Sequence, residues 1–202
     1  MSREVNKLMI VAHPDDELVF GGAELIKYGT QYKVVCISNK NNKIRSKEFE
    51  CVMKQLNVGS YEMWDFQDSL QDYIYGLDEF LTYEPKPFKN LLSKKWKKIV
   101  THNPIGEYGH PKHKRLFETI KKICDNFYVF GKDKNKLPED ILKKKLKLLK
   151  LYKTQQESIN QLKNKNQSWS KSKADSNYIE HEIITKFAQK LDKKNYIACY
   201  DK

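Results

Sequence analysis

Two clusters of polar residues in this chain contain the side chains that metal-assisted chemistry needs. The first reads Ala-His-Pro-Asp-Asp-Glu at residues 12–17, and the second reads Thr-His-Asn-Pro-Ile-Gly-Glu-Tyr-Gly-His-Pro-Lys-His at residues 101–113. Together they offer a histidine, an aspartate and a second histidine as ligands, with a fourth position left for water, which is the usual pattern of a catalytic zinc site. The other aspartate of the first cluster is then free to act as a base. Taken alone, the first cluster is more typical of a helix cap beside a hydrogen-bonded histidine.

Each cluster follows an apolar segment with the pattern of a buried β-strand. Residues 8–12 read Leu-Met-Ile-Val-Ala, and residues 98–100 read Lys-Ile-Val. A helix that ends at Gly29 is predicted after the first cluster, and a helix that begins at Pro111 is predicted within the second. Ligands of α/β proteins bind at the carboxyl edge of the sheet, so neighbouring strands would bring both clusters to one site.

The alternation of strand and helix patterns predicts an α/β fold with a parallel sheet and helices on both faces. The chain is interpreted as a single domain, residues 1–202, with a helical C-terminal part from about residue 132. Two local patterns refine this prediction. The Glu-Pro-Lys-Pro segment at 84–87 predicts an interruption of regular structure, and an amphipathic pattern predicts a helix near 178–191. No Gly-x-Gly-x-x-Gly follows the first strand, so a bound dinucleotide is not expected.

The formal net charge of +12 is compatible with an anionic partner. Only three of the basic residues are arginine, whereas sites that read bases or clamp phosphates favour arginine. The sequence therefore disfavours nucleic acid as the main partner; an anionic substrate and a homo-oligomer remain open. No apolar segment approaches the roughly 20 residues that a transmembrane helix needs, and no signal peptide is recognised. We therefore expect a cytoplasmic protein, with its cysteines in the reduced form.

Both motifs, in this order and at this spacing, resemble the PIG-L/LmbE-like family of zinc-dependent de-N-acetylases, from about residue 8 to about residue 156. The resemblance implies a Rossmann-like, doubly wound and mostly parallel α/β fold. It also implies one Zn²⁺ per chain, held by His13, Asp16 and His113. Asp15 would be the general base and later the proton donor, and the alternative role for Asp15 is that of a second metal ligand.

Two further residues of the second cluster match catalytic positions of the family. His110 matches the histidine that stabilises the oxyanion, and Tyr108 matches a tyrosine that reaches the carbonyl oxygen in some members. A packed aromatic ring is the alternative for Tyr108. The residue before the last ligand is usually an aspartate that orients the oxyanion histidine, but here it is Lys112, whose side chain has no acceptor. Either another carboxylate, with Glu107 as a candidate, orients His110, or His110 acts with less support.

The resemblance also implies substrate contacts from outside the two clusters. Arg45 and Glu48 match helix positions near the sugar, and Asp68 matches a contact to substrate hydroxyls. A surface pair at i,i+3 spacing is the alternative for Arg45 and Glu48. Within the second cluster, His102 and Asn103 lie close to the end of the predicted strand and are expected to line the pocket.

The leading hypothesis is a zinc-dependent hydrolase that removes the acetyl group from an N-acetylated sugar. The expected substrate is an N-acetylglucosamine moiety of a larger glycoconjugate or of a nucleotide sugar. One alternative is a non-catalytic carbohydrate- or nucleic-acid-binding protein on the same scaffold. Another is a peripheral membrane module that uses the lysine-rich segment 132–153, for which a solvated helix face is the simpler interpretation.

Overall fold

Strands and helices alternate along the chain in this computed structural model. The structure describes residues 4–66, 84–131 and 137–163, and the backbone of residues 183–188. Within these ranges the strands are β1 (Lys7–Val11), β2 (Tyr32–Cys36), β3 (Ser60–Met63), β4 (Lys98–Thr101), β5 (Asn126–Gly131) and β6 (Ile183–Ala188). The helices are α1 (Asp16–Tyr28), α2 (Lys43–Gln55), α3 (Pro85–Leu92), the single turn α4 (Gly106–Gly109), α5 (Pro111–Lys121), α6 (Glu139–Leu149) and α7 (Gln156–Lys163).

β1 lies between β2 and β4, and the strand order across the sheet is β3-β2-β1-β4-β5-β6. The first five strands are parallel, and β6 runs antiparallel to β5. The chain moves outward from β1 to β3 and then crosses to β4 on the other side of β1. The carboxyl ends of β1 and β4 therefore flank the switch point at which α/β proteins bind ligands. This topology confirms the predicted doubly wound α/β fold.

Alternate residues of β1 belong to two separate cores, one on each face of the sheet. Met9 and Val11 pack with side chains of α1, α2 and α6, whereas Leu8 and Ile10 pack with those of α3 and α5. All four side chains are completely buried, and burying each contributes about 1.5–3 kcal/mol. Because both faces of β1 are covered, the polar turn that follows this strand has a fixed position.

Two of the predictions about secondary structure are wrong. Helix α3 begins at Pro85, where regular structure was not expected, because a proline in the first turn loses no intrahelical hydrogen bond. Glu84 caps this helix by accepting a hydrogen bond from the N–H of Lys86 at 3.0 Å. Residues 183–188 form a strand that pairs with β5, where a helix was predicted. Pairing with a distant strand overrode the local amphipathic pattern, so the C-terminal part is helical only in α6 and α7 among the residues described.

The lysine-rich helix α6 turns its apolar face towards the protein core. Ile141, Leu148 and Leu149 are buried, and the fully buried Lys145 donates from Nζ to the carbonyl oxygen of Val19 at 2.8 Å. The apolar face of α6 is therefore covered by the protein, so this face is not available for insertion into a membrane surface. Along the described ranges of the chain, no helix combines the length and apolar character required to cross a bilayer.

Candidate metal centre

Asp16 lies among three imidazole rings at the carboxyl edge of the sheet. Its Oδ2 atom is 3.2 Å from Nδ1 of His13, 3.3 Å from Nε2 of His113 and 3.4 Å from Nε2 of His102. Asp16 begins α1 shortly after β1, His102 directly follows β4, and His113 lies in the first turn of α5. The three predicted ligands His13, Asp16 and His113 therefore meet because β1 and β4 are neighbours in the sheet.

Two overlapping groups of these side chains have the spacing of a metal site. Within the described part of the chain, ligand atoms of His13, His110 and His113 lie within 4.8 Å of one another, and so do those of Asp16, His102 and His113. His113 belongs to both groups, and its Nε2 atom is buried without a hydrogen-bond partner. A buried nitrogen that faces a carboxylate oxygen would be costly without a shared cation. The imidazole and carboxylate groups of these two overlapping groups therefore fit a divalent metal ion.

The two adjacent aspartates have opposite pKa shifts. Burial raises the pKa of Asp15 well above its usual value, and the negative charge of Asp16 raises it further. Burial also acts to raise the pKa of Asp16, but the charge of His113 and the other imidazoles close to this carboxylate hold its pKa well below its usual value. A pair of carboxylates with separated pKa values can divide the roles of charged ligand and proton-transfer group.

The backbone turn that presents Asp15 is strained and held from two directions. Asp15 has a φ of 116°, which L-residues rarely adopt. Its N–H donates to Oε2 of Glu17 at 3.1 Å, and the hydroxyl of Tyr152 donates to Oε1 of Glu17 at 2.6 Å. From the other side, Nη2 of Arg45 donates to the carbonyl oxygen of Pro14 at 2.9 Å and lies 3.8 Å from Oδ1 of Asp15. Strained backbone persists only where the surroundings hold it, so these contacts support the turn.

The loop that follows β4 is folded around Asn103. Its side-chain Oδ1 accepts hydrogen bonds from the N–H groups of Ile105 at 3.1 Å and Glu107 at 3.0 Å, and its Nδ2 donates to the carbonyl oxygen of Phe130 at 3.0 Å. Gly106 and Glu107 have φ values of 67° and 57°, which reverse the chain direction within two residues. This reversal directs the Glu107 side chain back towards the end of β4.

Glu107 joins two buried histidines. Its Oε2 is 2.6 Å from Nδ1 of His113 and 2.9 Å from Nδ1 of His102, and its Oε1 accepts from the N–H of Asn103 at 2.9 Å. The sequence suggested Glu107 only as a candidate group to orient His110, and did not suggest its contacts with His113 and His102. The sequence also placed His102 only along the pocket wall, whereas it lies against Asp16. Both roles depend on the tight turn at Asn103, which residue spacing alone does not reveal.

His110 is oriented by the backbone N–H of Lys112. Nδ1 of His110 accepts from the N–H of Lys112 at 3.3 Å, and its ring stacks on that of His113 with centroids 4.4 Å apart. Burial lowers the pKa of His110 well below its usual value, so the ring is neutral with its proton on Nε2. The Lys112 side chain is buried, which lowers its pKa to about 8. The Tyr108 ring packs against His110 and His113, with centroid distances of 5.7 Å and 5.6 Å.

Two of the three predicted substrate contacts lie on α2, beside the strained turn. Arg45 contacts that turn through its guanidinium group. Glu48 is buried, and its two carboxylate oxygens accept hydrogen bonds from the N–H and hydroxyl of Thr154 at 3.0 Å and 2.6 Å. Arg45 and Glu48 thus contact different parts of the protein, which the surface-pair alternative did not anticipate. Asp68 lies outside the described residues.

Comparisons with known proteins identify relatives of several kinds. The profile of a family described as "PIG-L: GlcNAc-PI de-N-acetylase" matches residues 8–124. "Uncharacterized protein L374" of Acanthamoeba polyphaga mimivirus is 35% identical over 210 residues, which cover 95% of this chain and 83% of that protein. The N-acetylglucosaminyl-phosphatidylinositol de-N-acetylase of Saccharomyces cerevisiae is 24% identical over 152 residues, which cover 68% of this chain but 49% of the yeast protein. The chain therefore spans about half the length of the yeast relative. The crystal structure of the conserved protein TT1542 from Thermus thermophilus has the same fold, with a TM-score of 0.51 and 12% identity, and the match covers 75% of this chain and 80% of that one.

Proposed function

Because this chain belongs to the PIG-L family of de-N-acetylases, we propose that it is a metal-dependent hydrolase that removes the acetyl group from an N-acetylglucosamine moiety. The observation that carries the proposal is the meeting of His13, Asp16 and His113 directly beside Asp15. These side chains supply the two requirements of amide hydrolysis, which are a cation site and a group that transfers protons.

His13, Asp16 and His113 are the proposed ligands of one metal ion, and zinc is the proposed metal. The low pKa of Asp16 keeps this carboxylate charged, and the buried Nε2 of His113 faces it. These residues would hold a zinc ion, which would act as a Lewis acid and would lower the pKa of a bound water to about 7. Three protein ligands plus water is the usual pattern of a catalytic zinc site.

Asp15 is the proposed general base. The raised pKa of its carboxyl group makes it basic enough to take a proton from the attacking water. The protonated carboxyl can then donate that proton to the nitrogen of the leaving amine, so that a single residue serves both steps. The alternative role of Asp15 as a second metal ligand makes a different prediction, which is that metal content would depend on it.

His110 is the proposed donor to the oxyanion that forms as water adds to the acetamide carbonyl. The Lys112 N–H occupies Nδ1 of His110, so Nε2 carries the proton that can be donated. This backbone hydrogen bond takes over the orienting role that an aspartate side chain has in other family members. Tyr108, packed edge-on against His110, is proposed to assist at the same oxygen.

The proposed substrate is an N-acetylglucosamine unit linked to a further group. The yeast relative is named for such a unit on phosphatidylinositol, and a nucleotide sugar would present the same acetamide. Arg45, Glu48 and Asp68 are the proposed contacts to the sugar. Among them, Glu48 already accepts two hydrogen bonds from Thr154, so its contact with a sugar would use only its remaining lone pairs.

Metal removal tests the proposed reaction directly. Complete chelation is expected to lower acetate release from the preferred substrate to the background rate, and one equivalent of zinc is expected to restore it. The assay would compare free N-acetylglucosamine, a nucleotide-linked form and N-acetylglucosaminyl-phosphatidylinositol, with metal content measured in each sample. Undiminished release from fully metal-free protein would contradict the proposal, as would a zinc-loaded protein that releases acetate from none of these sugars.

Tyr152→Phe is expected to lower the rate of acetate release about 10- to 100-fold with zinc retained, because the turn that positions Asp15 loses support. The matched control is Tyr32→Phe, since the Tyr32 hydroxyl also donates to a carboxylate, that of Glu24, at 2.6 Å. Each variant is expected to lose about 1–3 kcal/mol of unfolding free energy in urea titrations, because a carboxyl group loses its hydroxyl partner. Equal rates for the two variants would show that Tyr152 contributes only to stability.

A further inference from the structure

Glu107 contacts two imidazole rings through the same oxygen atom, at 2.6 Å from Nδ1 of His113 and 2.9 Å from Nδ1 of His102. An ionised carboxylate can only accept hydrogen bonds, so both Nδ1 atoms must carry a proton. In a neutral imidazole the other nitrogen, Nε2, then holds a lone pair. The position of Glu107 therefore fixes the same tautomer in both rings.

The Nε2 atoms of the two rings have different surroundings. Nε2 of His102 accepts a hydrogen bond from the backbone N–H of Ala12, the residue that follows β1, at 3.1 Å. Nε2 of His113 is buried without a hydrogen-bond partner and faces Oδ2 of Asp16 at 3.3 Å. Two atoms that both present lone pairs at this distance repel one another unless a proton or a metal cation lies between them. Nε2 of both histidines lies near Asp16, but only that of His102 is occupied by a backbone N–H, so of the two His113 is the one available to bind the metal.

We infer that Glu107 is a positioning residue that fixes His113 as an Nε2 metal ligand and holds His102 as a structural brace on the end of β1. The inference rests on the proposed metal-dependent function and adds a role that the sequence motif does not reveal. It also assigns different roles to two histidines that lie about equally close to Asp16, because the backbone N–H of Ala12 donates to Nε2 of His102 but not to Nε2 of His113. Carboxylates that orient ligand histidines in this way typically change metal affinity about 10- to 100-fold when they are replaced.

The buried position of Glu107 makes Glu107→Gln an informative variant. The Glu107 carboxylate accepts from the imidazoles through Oε2 and from the N–H of Asn103 through Oε1. A glutamine keeps the shape but has one oxygen and one NH₂ group, so one of these two sides must face a donor. The orientation of His113 or that of the loop is therefore weakened without removal of a ligand.

The test measures zinc affinity by competition with a chromophoric chelator, with unfolding by urea followed in parallel. We expect Glu107→Gln to bind zinc about 10- to 100-fold more weakly than the wild type. The matched control is Glu24→Gln, because Glu24 is also a largely buried carboxylate with several partners, the Tyr32 hydroxyl, Lys98 and Lys7, towards the opposite end of α1. Its zinc affinity should equal that of the wild type. A folded Glu107→Gln protein with wild-type zinc affinity would overturn the inference.

The variant His102→Gln tests whether His102 has a structural role or is a metal ligand. This variant is expected to retain one zinc per chain, because His102 is not a ligand, and to be less stable in urea. Loss of stoichiometric zinc from the folded variant would overturn the assignment of His102 as a brace.

A measurement on the wild type covers the case in which the variants fail to fold. Long-range ¹H–¹⁵N correlation spectra of the zinc-loaded protein should show the His113 proton on Nδ1. A proton on its Nε2 atom, with or without one on Nδ1, would overturn the inference. These readouts do not use acetate release. A protein that has the expected tautomer and zinc affinities but deacetylates no sugar would therefore contradict the proposed function and leave this inference intact.

Discussion

Replacing Asp15 by asparagine is expected to lower kcat for acetate release by about 10²- to 10⁴-fold, the usual contribution of a general base, with zinc still bound. The amide cannot take a proton from water, whereas asparagine tolerates positive φ values as well as aspartate does. The contacts of the Asp15 backbone to Glu17 and to the first turn of α1 do not involve its side chain. Steady-state kinetics and metal analysis of the same preparation would check both parts of this expectation.

The control for this variant is Asp125→Asn, an exposed aspartate outside the site, which should match the wild type in rate and zinc content. Each contrary outcome has a definite meaning. Equal turnover in Asp15→Asn and the wild type would remove the proposed base. Loss of zinc from Asp15→Asn would instead favour its alternative role as a second metal ligand. A wild type that binds sugar without turnover would favour the non-catalytic binding protein on the same scaffold.

His113→Ala is expected to lose both stoichiometric zinc and acetate release, because two protein ligands do not retain zinc in a three-ligand site. The substitution also removes a hydrogen-bond partner from the fully buried Glu107. We therefore expect the unfolding free energy of the metal-free variant to fall by about 1–3 kcal/mol. Metal content, acetate release and urea unfolding measured together would separate the loss of the ligand from the loss of stability.

His113→Gln is a useful second variant, because it keeps a polar side chain in the space next to Glu107. Glu118→Ala, on the same helix α5 and partly exposed, is the control that should retain both zinc and activity. A folded His113→Ala or His113→Gln protein with one tightly bound zinc per chain would refute the assignment of His113 as a ligand. Substitutions of Asp15 and of His113 are thus distinguishable, since only the His113 variants are expected to lose the metal.

Much of this architecture can be predicted from local patterns. The apolar run of residues 8–12 predicts a buried strand, and β1 is covered by two separate cores. The proline at 111 predicts the first turn of a helix, and α5 begins there. Local prediction fails where a distant partner decides the outcome. Residues 183–188 have an amphipathic helical pattern, but their backbone completes the edge of the sheet against β5.

The candidate chemistry can be read from the sequence, because residue types and their spacing in a strand-to-helix turn are local properties. The motif and its resemblance to the family predict His13 and Asp16 as ligands and Asp15 as a base. Which other side chains lie against these residues depends on the tertiary structure. Glu107 meets His113 because the Asn103 turn reverses the chain, and Tyr152 meets Glu17 because α6 packs on α1. Contacts of this kind depend on how helices and strands pack on one another, and side-chain periodicity along one segment carries no information about its distant partners.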